Sequence, residues 1–316
     1  MTKVVALAGG VGGAKLVYGL AKILPAGDLT VIVNTADDFV HFGLNISPDL
    51  DTVMYNLAEV SNEQTGWGRQ DETWNCFAEL DKLESVNWFK LGDRDLAIHL
   101  ERTKLLKSGL NLSDVTKMLC NKLGVEVCIR PMSDDIVHTI VTTEEYGDLP
   151  FQEYFVKYHF EPKYISHRFF GIHSAKINPD TRIAIQNSDI IIICPSNPWL
   201  SVLPILAVED MTLLIRKKVC VAVSPIVGND AIKGPAAKIF RELNINPSAF
   251  EVAKIYQGVI DGFILDKVDS SECDMIRACG IIPMLTDTIM KDKYSKERLA
   301  KDIFDFASQL KKEIEA

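Results

Sequence analysis

The apolar run Val4-Val5-Ala6-Leu7-Ala8 ends in four glycines within five positions, Gly9, Gly10, Gly12 and Gly13. A short apolar run is what a strand buried on both faces of a parallel sheet requires. Glycines directly after it permit a tight turn and close approach of the backbone to whatever lies opposite. Leu16, Leu20 and Ile23 then recur at helical spacing, so the chain reads strand, tight turn, helix. The N-terminus of such a helix aims backbone amides and a partial positive charge at the turn. Gly10, Gly12, Gly13 and the nearby Lys15 are therefore candidate phosphate contacts, with a purely structural strand-to-helix turn as the alternative.

Two well-known phosphate loops are not matched. A Walker A loop needs Gly-Lys followed by Ser or Thr, whose hydroxyl meets a metal, whereas Lys15 stands between Ala14 and Leu16. A dinucleotide fingerprint counted from Gly10 needs a third glycine where Lys15 stands, and the second strand runs into Asn34-Thr35-Ala36-Asp37-Asp38. Both departures argue against a nicotinamide cofactor.

The 316 residues, 47% apolar and 24% charged, suffice for one large α/β domain or one carrying an insertion. A net charge of −9 argues against a general nucleic-acid surface, so a polyphosphate must be held by local amides, a few cations and metal ions. The seven cysteines form no CxxC pair and several lie in apolar runs, as expected of reduced, mostly buried thiols. The chain starts straight into a strand without a charged-then-apolar leader, and the run Ile190 to Cys194 is too short to cross a bilayer. The expectation is a soluble, cytoplasmic protein without a membrane or nucleic-acid partner.

Strand-like runs recur at Leu29–Val33, Val125–Ile129, Ile190–Cys194, Val219–Ser224 and Gly258–Leu265, alternating with helical stretches. This alternation predicts a single Rossmann-like α/β domain over 1–316 with a mainly parallel, doubly wound sheet. Between about 52 and 124 the strand signal fades, and Val53–Val60, Asp93–Lys107 and Ser113–Leu123 carry helical spacing, predicting a helical insertion. Ser113 is the expected N-cap of the last helix and Gly124 its stop. Turn residues at Tyr146-Gly147-Asp148 predict a hairpin within 136–158, leading to a short helix.

The loop after the second strand concentrates four acids, Asp37, Asp38, Asp49 and Asp51. Such clustering is costly unless a cation or donors offset the repulsion, and magnesium is the natural candidate. Asp37, Asp38 and Asp51 are the expected ligands, and the alternative for Asp49 or Asp51 is to cap the helix beginning near Thr52. His41 has no second histidine at ligand spacing and reads as a loop hydrogen-bonding residue. Two further loops follow strands: Cys194-Pro195-Ser196-Asn197-Pro198, and Ser224 to Asp230 with the Gly228-Asn229 turn before Ala231-Ile232-Lys233-Gly234-Pro235-Ala236. Pro235 suits the first position of a helix. Ser196, Asn197, Gly228 and Asn229 are candidates to hold a nucleoside, and loops at strand carboxyl ends converge on one crevice. Asp93, Arg94 and Asp95, and Asp134 with Asp135, fit either a site or ordinary helix and turn chemistry. Trp88 and Phe89 suit stacking on a flat ring or a place in the core.

The stretches GGVGGAKL, NTADDFVHFGLNISPDLDT, WFKLGDRDLA, PMSDD, PSNPWLS and SPIVGNDAIKGPA together resemble the 2-phospho-L-lactate transferase family over most of the chain. The resemblance implies a Rossmann-like enzyme that makes the deazaflavin coenzyme F420; separately, the apolar helical insertion could serve as a dimer face, a lid or both, and a homodimer is expected. Such an enzyme joins a lactyl phosphate from lactyl-2-diphospho-5′-guanosine to the ribityl hydroxyl of 8-hydroxy-5-deazariboflavin, with GMP as leaving group. It also implies that Asp51, in PDLDT, and Lys90, in WFKLGD, contact the deazaflavin, with Trp88 beside them. A related group of regulatory proteins that bind nucleotide sugars shares the glycine loop and PSNP-like turns. The PDLDT and WFKLGDRDLA segments distinguish the transferase from it.

Overall fold

The computed structural model describes residues 2–85, 88–231 and 234–316. Strand β1 (Val4–Ala8) pairs in parallel with β2 (Leu29–Val33), and β2 with β3 (Cys128–Pro131). On its other side β1 pairs with β4 (Ile190–Ile193), which continues in parallel through β5 (Val219–Val223), β6 (Gly262–Asp266) and β7 (Ile282–Thr286). The order β7-β6-β5-β4-β1-β2-β3 is the doubly wound, Rossmann-like arrangement that the alternating pattern predicts.

Every residue of β1 is buried, and alternate side chains serve opposite layers. Val5 and Leu7 join Ile32, Ile191 and Ile193 on one face. Val4, Ala6 and Ala8 join Val31, Val33, Ile190 and Ile192 on the other, covered by α1 (Gly10–Ile23), α2 (Pro48–Leu57) and the C-terminal helix Lys293–Glu315. Leu16 and Leu20 of α1 are fully buried there, and each such side chain contributes about 1.5–3 kcal/mol.

The helical insertion lies between β2 and β3 and holds α2, α3 (Asn75–Lys82), α4 (Asp93–Lys107) and α5 (Leu112–Lys122). Helix α3 carries only a short apolar face, Phe77 and Leu80, and none of its residues is fully buried. Helix α5 is capped by Asn111, whose side chain accepts from the Asp114 amide, rather than by Ser113. Its stop is as predicted, with Gly124 at φ +71°. The predicted hairpin forms from His138–Thr143 and Gly147–Pro150, but a third strand, Tyr164–Phe170, extends it on the far side. That strand was illegible because Ser166-His167-Arg168 interrupts any apolar period. The edge strand β7 was missed too: it is half-exposed and carries Pro283, which an edge tolerates. All seven cysteines are free thiols. Among the described residues no helix is long and apolar enough to cross a membrane.

Candidate active site

The strand order reverses between β1 and β4, the position at which doubly wound sheets bind ligands, and there the glycine turn meets the Pro195-Ser196-Asn197 loop. The two are clamped together. The Ser196 hydroxyl donates to the Gly9 carbonyl at 2.8 Å and accepts from the Gly9 amide at 3.1 Å. A Cβ on Gly13 would stand 2.7 Å from that hydroxyl oxygen, and one on Gly12 would collide with the Pro195 carbonyl. Two of the glycines are thus required by the neighbouring loop. Gly10 is required by its backbone, at φ +62°.

The helix amide expected to await a phosphate has an internal acceptor. Gly10 donates to Asp49 Oδ1 at 2.7 Å, so Asp49 caps α1 rather than its own helix, which starts earlier than expected, at Pro48. Asp49 Oδ2 accepts from Asn34 Nδ2 at 3.0 Å, and the same amide donates to Asp37 Oδ2 at 2.9 Å. One fully buried asparagine therefore ties two carboxylates together. Asp38 accepts from the Ser47 hydroxyl at 2.6 Å. Burial pushes Asp37 well above the usual carboxylate range, with Asp49 and Asp38 adding to the rise. Burial likewise raises Asp38, and lifts Asp49 to about 6. Oδ1 of Asp37 and Oδ1 of Asp38 are buried without a partner, which is the demand that a hard cation satisfies.

Asp51 is placed differently from the other acids. It lies one helical turn from Tyr55 on α2, and both of its oxygens accept from the buried Arg102 of α4, one of them from Nη1 at 3.0 Å. Arg102 Nη1 also contacts His99 Nδ1 at 3.0 Å. A guanidinium has no acceptor, so Nδ1 accepts and the ring hydrogen sits on Nε2, which is 3.3 Å from Asp95 Oδ1. Asp95 also accepts from the Tyr55 hydroxyl at 2.6 Å. Burial alone would raise Asp95, but His99, Tyr55 and Arg102 outweigh it and hold the carboxyl below its ordinary range. Asp95, His99 and Arg102 occupy positions i, i+4 and i+7 of one helix, a polar face turned inward. That spacing is visible in the sequence, yet His99 and Arg102, like Asn34 and Ser47, were not singled out as site residues.

The remaining expected residues separate into those with local duties and those with open valence. Asn197 accepts from the Trp199 and Leu200 amides through Oδ1, while its Nδ2 is buried without a partner and remains a donor for a ligand. Gly228 and Asn229, at φ +59° and +66°, form the two-residue turn of the hairpin Ile226–Val227 with Asp230–Ala231, the geometry that a type I′ turn demands. The Gly228 amide donates to Asp269. Ile232 and Lys233 of the following segment lie outside the described residues, and Pro235 is the cap of helix Ala236–Glu242. The Lys15 ammonium donates to the Met290 carbonyl at 3.0 Å. Trp88 lies 5.7 Å from Phe39 and 5.3 Å from His41, ring to ring, while Phe89 lies 4.9 Å from Phe39. Lys90 follows them, exposed. Asp93 accepts from Thr73 and from the first amides of α3, which hold it at about 2. Asp134 binds the Ser113 amide and Asn178, and Asp135 the Lys176 amide, so both serve backbone turns.

Comparison with known proteins agrees with this architecture. A solved protein of the UPF0052 family from Bacillus halodurans is similar over 96% of this chain and 98% of its own, with a TM-score of 0.62 and 16% identity. That is a likeness of fold. A phosphoenolpyruvate transferase of Streptomyces griseus is 39% identical over 98% of this chain and 99% of its own length. A 2-phospho-L-lactate transferase of Methanosarcina barkeri is 37% identical over 92% of this chain and 94% of its own length. The profile of the family described as 2-phospho-L-lactate transferase CofD matches residues 4–301. With the glycine turn, the acidic crevice and these relatives spanning almost its whole length, the chain belongs to the CofD family of transferases.

Proposed function

We propose that the protein transfers the 2-phospho-L-lactyl group from lactyl-2-diphospho-5′-guanosine to the ribityl hydroxyl of 8-hydroxy-5-deazariboflavin, giving coenzyme F420-0 and GMP. The observation that carries the reading is the acidic crevice at the β1/β4 switch point, where Asp37 and Asp38 present buried oxygens without partners opposite the glycine turn.

Those two carboxylates fit magnesium. Among the described residues no three His, Cys, Asp or Glu side chains are grouped to enclose a metal by themselves. Magnesium is ordinarily held by one or two carboxylates together with substrate phosphates and water. Bound to Asp37 and Asp38, it would neutralise charge on the diphosphate. Asp51, the third expected ligand, faces Arg102, and its role in this reading is toward the acceptor: its carboxylate accepts a hydrogen bond from the ribityl hydroxyl and orients it.

In the transfer, the acceptor oxygen bonds to the phosphorus that carries the lactyl group, and the bond from that phosphorus to the bridging oxygen breaks. GMP leaves with the electron pair, and the hydroxyl proton passes to solvent. Such transfers depend mainly on alignment and charge neutralisation. Asn197 Nδ2 is the open donor on the nucleotide side, and Trp88, among Phe39 and His41, supports the deazaflavin ring.

The test mixes the protein with magnesium, 8-hydroxy-5-deazariboflavin and the lactyl donor, and follows GMP and the new phosphodiester by mass spectrometry. Magnesium-dependent product supports the reading. The relatives' names divide between lactate and phosphoenolpyruvate, and competition between the two donors decides which acid is preferred. Folded protein that binds guanine nucleotide without forming product with either donor overturns the transferase reading.

A further inference from the structure

We propose that Arg102 is a positioning residue for the acceptor end of the site, fixing the direction of the Asp51 carboxylate, and that His99 and Asp95 fix Arg102 in turn. This rests on the reading of Asp51 given above.

Arg102 is 2% exposed and Asp51 5%, and burying both charges has a desolvation cost that their attraction roughly cancels. A well-packed apolar pair would join α2 to α4 at least as firmly. What the ion pair supplies instead is direction. The guanidinium is a rigid planar fork that engages both oxygens of Asp51 at once, so the carboxylate cannot turn about its own bond, and its unused lone pairs point along fixed lines.

The fork is itself held. Nη1 meets His99 Nδ1, and the ring's other nitrogen, buried without a hydrogen-bond partner, lies 3.3 Å from Asp95 Oδ1, whose carboxylate Tyr55 holds. All three members stand on one face of α4, so a single rigid element sets their spacing. The same helix begins just after Trp88, Phe89 and Lys90, the residues on the ring side of the acceptor. A helix that both follows the ring contacts and aims the carboxylate keeps the two ends of one substrate in register, which is where small displacements cost most in rate.

The experiment compares Arg102→Lys, Arg102→Met, Asp51→Asn and the double variant Asp51→Asn with Arg102→Lys. Turnover number, KM for 8-hydroxy-5-deazariboflavin, KM for the guanosine donor and thermal midpoint are measured for each. Arg102→Lys keeps a positive charge but loses the fork, and the expected result is a fall in kcat of about 10–100-fold with the donor KM unchanged. In the double variant the loss should match Asp51→Asn alone within about threefold, because the fork acts through Asp51 while lysine keeps the charge that Arg102 presents to Asp38. Turnover of Arg102→Lys near the parent's, or losses that multiply in the double variant, overturns the proposal while leaving Asp51 in place. Full turnover in Asp51→Asn overturns the reading of Asp51 and this inference with it. Should both Arg102 variants fail to fold, His99→Gln carries the test, since it removes the Nδ1 support and leaves the ion pair. A fall in kcat that vanishes in an Asp51→Asn background supports the relay, and an unchanged kcat overturns it.

Discussion

Gly12 lays its bare Cα against the carbonyl oxygen of Pro195, leaving no room for a side chain. The contact joins the turn after β1 to the loop after β4, the two walls of the crevice. Gly12→Ala is expected to force these walls apart, at a cost on the order of 2–4 kcal/mol, and to weaken guanine-nucleotide binding with it. Gly10→Ala meets only open space and the edge of Asp49, so its cost is the left-handed backbone alone, about 1–2 kcal/mol. Thermal melts of the two variants should rank them in that order. The reverse ranking would mean that backbone strain at Gly10, not the Pro195 contact, governs the turn.

Asp37, Asp38 and Asp49 all have folded-state pKa values above their ordinary one, Asp49 at about 6. Raised carboxyls contribute stability that is fully present below their unfolded value of 3.8 and is lost as pH rises through the folded value. In chelator-treated protein the thermal midpoint should therefore fall as pH rises from the ordinary carboxylate value of 3.8 through about 6, where Asp49 ionises, and Asp37→Asn should flatten that fall. Magnesium should restore part of the loss in the parent and less in the variant. A midpoint indifferent to pH over this window would rule out buried, uncompensated charge in the crevice.

Asn34 is the one amide between Asp37 and Asp49. Asn34→Asp replaces a donor with a third carboxyl, and about 3–5 kcal/mol of stability should be lost near neutral pH, with partial recovery in acid. Denaturant titrations of parent and variant at both pH values measure this directly. Equal stability would show that the bridge is dispensable.

Asp51→Asn should lower turnover far more than it weakens guanine-nucleotide binding, because the charge it removes is needed for alignment of the acceptor. Steady-state kinetics paired with calorimetric nucleotide binding separates the two. Matching losses in both would place Asp51 on the nucleotide.

Trp88→Ala should raise the KM for 8-hydroxy-5-deazariboflavin with little change in the donor KM, since its ring lies among Phe39 and His41 rather than along the Asn197 side. The deazaflavin's own fluorescence on titration with protein gives the binding constant. An unchanged value would return Trp88 to the core.

The sequence disclosed the fold through its most regular parts. Buried strands such as Leu29–Val33 read directly as apolar runs, and Asp93–Lys107 reads as a helix to the residue. What escaped were α3, whose apolar face is only Phe77 and Leu80, and β7, where Pro283 interrupts the apolar run Ile281 to Leu285. In the site, clustering marked out the acids but not their partners. Asp49 looked like a cap for its own helix because the α1 amide that it serves lies 39 residues away. Arg102 and Asp51 are 51 residues apart, and a buried arginine in a charged helix looks like any solvated one until the helix is docked. The bonds from Ser196 to Gly9 were invisible because the two are 187 residues apart.

The bond from Gly10 to Asp49 means that the helix end beside the glycine turn already faces a carboxylate, so under the proposed function a substrate phosphate would enter by exchange. The turn keeps its shape between turnovers with a side chain standing in for the ligand, and the affinity measured for any nucleotide is net of evicting that stand-in. A ligand bearing one negative charge replaces like with like and gains little. A diphosphate arriving with its own cation brings more charge than it displaces, and the evicted carboxylate finds that cation beside it.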